Sequence, residues 1–162
     1  VAERDPAFVP LRWEELSALQ HQVFDYRPEG GPSVLVIEYS GEYGHGSGGR
    51  GSATYIVATA TAAWQAWHRT GLILDFTNLA YAWGDEMEWV LCLGSEGGAG
   101  GCSRPLAIIL GPDCRAGLQS LEGDEERSVL AEDFQAGLRL IDEARQDYER
   151  CLEAWRRGSF GS

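Results

Sequence analysis

The stretch Ala53-Thr-Tyr-Ile-Val-Ala-Thr-Ala-Thr-Ala-Ala-Trp-Gln-Ala-Trp-His-Arg-Thr-Gly-Leu-Ile-Leu-Asp-Phe76 changes its period part-way along. Up to Arg69 the apolar positions Ile56, Ala60, Trp64 and Trp67 recur at three and four, the spacing of a helix face. Ser52 is placed to cap that helix and Gly71 to stop it. Leu72-Ile-Leu-Asp-Phe76 then reads as a short buried strand. Upstream, Ser33-Val-Leu-Val-Ile-Glu-Tyr39 is a second such run, rich in β-branched residues. Downstream, Leu106-Ala-Ile-Ile-Leu110 is a third, closed by Gly111-Pro112. Helical patterns around Asp85–Leu91 and Asp113–Leu121 separate these runs. Ser128–Leu130 reads as a small edge strand, and a long helix spans residues 133–157. Such alternation predicts an α/β fold: one domain over 1–162, with a mostly parallel sheet of about four strands. Before it, Trp13, Leu16, Leu19 and Val23 recur at helical spacing. Residues 1–32 therefore read as an N-terminal helical segment ended by Arg27-Pro-Glu-Gly-Gly-Pro32.

Composition narrows the function. All 13 cations are arginine, which excludes lysine Schiff bases, a phosphate-loop lysine and a Ser-Lys pair. The net charge of −12 gives no electrostatic route to nucleic acid or an anionic membrane, so neither is an expected partner. No apolar run reaches the roughly 18 residues of a membrane span, and Val1 opens a charged segment unlike a signal-peptide core. Cys92, Cys102, Cys114 and Cys151 form no C-x-x-C pair. Cys92 and Cys151 sit in apolar-periodic runs, so reduced thiols in a cytoplasmic protein are expected.

If the strands are parallel, the loops after Tyr39, Phe76 and Leu110 leave from one edge of the sheet, where open α/β folds bind ligands. His45, Arg50 and Ser52 belong to the first loop, Thr77, Asn78 and Asp85 to the second, and Asp113 to the third. Gly46-Ser-Gly-Gly-Arg-Gly51 matches G-x-G-x-x-G, but Ser40 to His45 separate it from its strand. A phosphate-loop reading puts Arg50 where lysine is needed and Gly51 where the metal-binding hydroxyl should be. A flexible connection explains the glycines better. No G-x-S-x-G or H-E-x-x-H occurs, so no catalytic set, metal site or cofactor is expected.

The aromatics and acids suggest binding instead. Trp83 lies in a connection beside Gly84, ahead of Asp85, Glu86 and Glu88, a good anchor for a basic protein surface. Most other tryptophans read as core. In the last helix Phe134, Leu138, Ile141, Tyr148, Leu152 and Trp155 form a heptad-like seam. Such a helix is longer than the sheet can cover. Its first half should pack on the domain, while Tyr148, Leu152 and Trp155 project toward a partner or a second copy in a homodimer.

The segment 33–121 resembles the STAS family, the regulatory modules of anti-sigma-factor antagonists and sulfate transporters. Three stretches carry the likeness: Val34-Leu-Val-Ile-Glu-Tyr-Ser-Gly41, Leu72-Ile-Leu-Asp-Phe-Thr-Asn-Leu-Ala-Tyr81 with Trp83-Gly-Asp-Glu-Met87 after it, and Leu106-Ala-Ile-Ile-Leu-Gly111. Where that family's regulatory members carry a phosphorylatable serine, this chain has Gly84 and Asp85, a permanent charge in place of a switch. The expected function is a non-enzymatic acidic protein-binding module, either a STAS-like regulatory partner or an immunity-type inhibitor of a basic protein. The alternative is a small enzyme or sensor that binds a phosphorylated or nucleotide ligand at the glycine loop.

Overall fold

The computed structural model describes residues 11–95, 101–121 and 128–159. Strands β1 (Gln20–Tyr26), β2 (Val34–Glu42), β3 (Gly71–Ala80), β4 (Leu106–Leu110) and β5 (Leu130–Ala131) form one sheet in the order of the chain. β1 is antiparallel to β2, and every other neighbouring pair is parallel. The helices are α1 (Gly49–Trp67), α2 (Met87–Leu91), α3 (Arg115–Gln119) and α4 (Phe134–Ser159).

Sequential order decides the layering. Right-handed crossovers between successive neighbours all fall on one face of the sheet. Residues of α1, α2 and α3 accordingly share one large core with Leu35, Ile37, Tyr39, Leu72, Leu74, Phe76, Ile108 and Leu110. The alternate residues Val34, Val36, Ile73, Ala107 and Ile109 point the other way, toward Ile141 of α4 with Phe134 and Leu138 beside it. The central strands are apolar throughout because both of their faces are covered.

The structure departs from expectation at both ends of the chain. Residues 20–26 are a strand, not a helix, and only Trp13–Glu15 form a turn of 3-10 helix. The reason is tertiary. All seven residues of β1 pair with β2, from Gln20 opposite Ser40 to Tyr26 opposite Val34, which supplies backbone partners along an otherwise unpaired edge. The sheet thus has five strands rather than four. At the other end, Cys102 and Cys151 are joined in a disulfide with Cα atoms 5.8 Å apart, so reduced thiols are not what this pair forms. Cys92 is free and exposed rather than buried, and Cys114 is free and buried.

Two smaller corrections bear on the site. β3 runs on to Ala80, so Thr77 and Asn78 lie in a strand and not in a loop. α1 begins at Gly49, so Ser52 lies inside it and caps nothing. Its hydroxyl is buried, sharing a hydrogen bond of 3.1 Å with Ser17 Oγ. The helix ends at His68, which adopts the left-handed conformation at φ 50° ahead of Gly71.

Candidate functional site

The loops that follow the parallel strands gather at one edge, and backbone contacts lock them together. Tyr43 N–H donates to Ala80 O at 2.9 Å, Asp85 N–H to Gly46 O at 3.0 Å and Tyr81 N–H to Asp113 O at 3.0 Å. Glycine makes these approaches possible. A Cβ on Gly49 would lie 2.8 Å from Asp85 N, one on Gly84 2.4 Å from Gly44 O, and one on Gly51 2.1 Å from Leu16 O. The glycine loop is therefore packed against the chain's own backbone, at the helix start where a phosphate would otherwise sit.

The exposed side chains His45, Arg50 and Trp83 form a platform at this edge. The Trp83 indole lies over Gly46, where a Cβ would come within 3.1 Å of the ring. Gly46 has φ +52°, a second reason for glycine there. Trp83 is 61% exposed, and His45 meets it edge-on with ring centres 6.1 Å apart. Arg50 Nε donates to Glu86 Oε1 at 2.7 Å, while the other carboxylate oxygen of Glu86 is buried without a partner. Glu86 itself stands at φ +71°, a strained position for a residue with a side chain. Beneath it, Tyr43 donates to Asp85 O at 2.8 Å and meets Tyr81 at 5.0 Å between ring centres. Burial, reinforced by Tyr81 and by the Glu86, Glu88 and Asp85 carboxylates, raises the Tyr43 pKa and keeps the phenol protonated.

The structure thus brings His45, Arg50, Trp83, Asp85 and Glu86 together, with Glu88 in the first turn of α2. It does not bring the remaining ligand candidates to them. Ser52 is buried under the loop, where Gly44 N–H donates to it at 3.3 Å. Thr77 N–H is taken by Asp75 Oδ1 at 2.8 Å, so that carboxylate caps a strand bulge. Asn78 lines a small cavity of about 160 Å³ with Gln22, Glu38 and Ser40. Asp113 contributes its backbone carbonyl. Among the described residues, no group of three or more His, Cys, Asp or Glu side chains could hold a metal ion. No described helix is long and apolar enough to cross a membrane.

The second candidate surface is mixed. Ile141 of α4 is buried, whereas Tyr148 and Leu152 are half-buried and Trp155 is 47% exposed. The disulfide to Cys102 ties this distal half to the loop before β4. Sequence reasoning missed three exposed tryptophans: Trp13, Trp67 and Trp89 are 54%, 49% and 50% exposed. Of six tryptophans only Trp64 is core, and its indole donates to Arg69 O while the Arg104 guanidinium covers its ring at 3.6 Å. A signal was available in α1, which carries no charge from Gly51 to Trp67. A helix with one face in water should not lack charge over that length.

No protein-family model and no curated protein matches the chain.

Proposed function

We propose that this chain is a non-enzymatic protein-binding module that grips a basic partner through the Trp83 platform. The observation that carries this reading is the half-open indole pinned on Gly46, followed in the chain by the exposed Asp85 and Glu88, with the Glu86 carboxylate held by Arg50. Gly46 at +52° and the Asp85–Gly46 hydrogen bond hold the ring's base in place before any partner arrives. A rigid aromatic anchor loses little entropy on docking, and the exposed carboxylates of Asp85 and Glu88 steer a cationic surface toward this edge. A STAS-like regulatory partner and an immunity-type inhibitor are the two concrete forms. For the first, the stretches that carry the resemblance are β2, β3 and β4, side by side and parallel. For the second, the support is the net charge of −12 with no lysine.

The test is binding to basic proteins encoded beside this chain, with Trp83→Ala compared to wild type. A buried aromatic anchor is worth about 2 kcal/mol or more, so the substitution should weaken binding by roughly thirty-fold or more with the melting temperature unchanged. No partner tighter than micromolar, together with turnover of a small molecule, would overturn the proposal. Ligand binding at the glycine loop gains no support from glycines filled by the chain's own backbone. A thermal shift on adding nucleotides or phosphosugars would restore it.

A further inference from the structure

Among the described residues the arginines sort by environment, and one of them fits neither class. Arg27, Arg50, Arg69, Arg115, Arg145 and Arg150 each face a carboxylate. Arg12, Arg139, Arg156 and Arg157 are exposed to water. Arg104 is half-buried, and its guanidinium lies 3.6 Å from the centre of the Trp64 ring with no carboxylate paired to it. Burial pushes its pKa below the usual value, and among the described residues only the Tyr148 phenol works against this. An aromatic face replaces part of the hydration that a buried cation loses, and an anion replaces the rest.

Arg104 also lines a cavity of about 340 Å³ at the edge of the sheet where β4 begins. Leu91, Leu106, Val129 and Ala144 give this cavity an apolar side, and the exposed Ser103 adds a hydroxyl to its polar side. Asp147 lines it too and is engaged by Arg150. The walls are held in place before any ligand arrives. The Arg104 amide donates to Gly94 O at 2.6 Å, and a Cβ on Gly94 would lie 2.7 Å from Arg104 O. The Cys102–Cys151 disulfide then joins the chain just before Arg104 to α4 one turn beyond Asp147, so a covalent tie spans the two walls. Such preorganisation spares a ligand the cost of ordering its own site.

We propose that this cavity binds a small organic monocarboxylate, anchored by the Arg104 guanidinium and with its apolar body against Leu91, Leu106, Val129 and Ala144. The ligand class follows from what the walls present. With one face toward Trp64, the guanidinium keeps its N–H edge, a fork that fits a planar carboxylate through two parallel hydrogen bonds. A single cation with Asp147 in the same lining, in a chain of net −12, favours one negative charge over the two of a phosphate monoester. Ligand cavities run from about 300 to about 1,000 Å³, so this one suits an acid the size of benzoate and not a nucleotide. No residue of the Trp83 platform lines the cavity, so either reading can fail while the other stands.

The experiment is isothermal titration calorimetry on the intact chain with benzoate, phenylacetate and hexanoate as probes. Wild type should bind at least one of them saturably, with a dissociation constant near or below about 1 mM. The neutral amide of the same acid should bind about ten-fold or more weakly, and so should the acid itself to Arg104→Gln. Arg104→Lys should lose affinity as well, because an ammonium keeps the charge without the fork. The Trp64 indole N–H resonance should shift along the same saturation curve. Arg104 covers Trp64, so circular dichroism must show that its variants are folded. If they are not, Ala144→Leu carries the test: it fills the cavity from a helix position suited to leucine, leaves Arg104 in place and should weaken binding about ten-fold. No saturable binding of any probe below about 10 mM overturns the proposal. So does affinity unchanged in Ala144→Leu or in a folded Arg104→Gln, and so does phenyl phosphate bound more tightly than all three acids.

Discussion

His21 sits where β1 meets α1, with Nδ1 2.7 Å from the Tyr55 hydroxyl and its ring against Tyr39 and Tyr55. Burial among these rings lowers its pKa below 6.5, because a cation there loses solvation without gaining a carboxylate. The folded chain therefore prefers the neutral ring, and the unfolded chain takes up the proton first. His21 contributes stability that is fully present above 6.5 and is lost as pH falls through the lower folded value. Between about pH 7.5 and about pH 5 the melting temperature of wild type should fall more than that of His21→Gln, which keeps a hydrogen-bonding group near Tyr55. Equal slopes would show that the ring titrates freely in both states. Asp25 does not confuse the reading. Hydrogen bonds from Arg69 and Arg27 hold its pKa to about 2, so its contribution is lost only as pH falls from 3.8 toward that value. Neither the His21–Tyr55 contact nor the Asp25–Arg69 contact was legible in the chain, because the partners lie 34 and 44 positions apart. The same holds for the glycines of the 44–51 loop. Their spacing matched a ligand-loop pattern and read better as a flexible connection, whereas Gly44, Gly49 and Gly51 lie against the backbones of Gly48, Asp85 and Leu16.

Elements with a local period were readable, and elements made by their neighbours were not. β2, β3 and β4 are apolar runs, α1 and α4 repeat at helical spacing, and all five are present, with β3 running on to Ala80 and α1 starting early at Gly49. β1 was misread because Trp13, Leu16, Leu19 and Val23 fit a helix as well as anything else. Of these only Leu19 is buried in the fold, and Trp13 and Leu16 stay exposed. What makes Gln20–Tyr26 a strand is the free edge of β2, which no local pattern announces. α4 shows the converse. Its spacing marked the helix correctly, but not the covalent tie that holds its end. A helix of 26 residues is about 39 Å long and outruns the sheet, and its last buried apolar residue is Ile141. Past that point the disulfide to Cys102, 49 residues away, restrains the chain. Closing a loop of that length is worth up to about 4 kcal/mol through the unfolded state. Cys151→Ser, or reduction by a dithiol, should lower the unfolding free energy by about 2–4 kcal/mol. Hydrogen exchange should show protection lost first beyond Arg145, with β2 to β4 unchanged. A variant as stable as wild type and equally protected there would mean that Tyr148 and Leu152 hold the helix end unaided.

At the scale of the whole molecule, strict alternation announced a parallel sheet with helices on it, but strand order lies beyond any periodicity. The order is what sends α1, α2 and α3 to one side and leaves the other to α4. Charge acts on this whole body at once. Twelve excess negative charges on a sphere of radius about 20 Å repel each other by order 10 kcal/mol without salt, and the wider unfolded chain feels less than half of that. Against this stand ion pairs such as Arg50–Glu86, Arg69–Asp25 and Arg145–Glu149. Arg50 and Glu149 are largely exposed, and pairs of that kind are worth about 0–1 kcal/mol each. Sodium chloride screens both effects, with a Debye length near 8 Å at about 0.15 M. The repulsion is the larger of the two and acts over longer distances, so screening removes more of it than of the pairs. The melting temperature should therefore rise with sodium chloride, most steeply below about 0.15 M, and then level off. A melting temperature that falls as salt is added would show that the arginine pairs, and not the excess of acid, set the electrostatic balance of the fold.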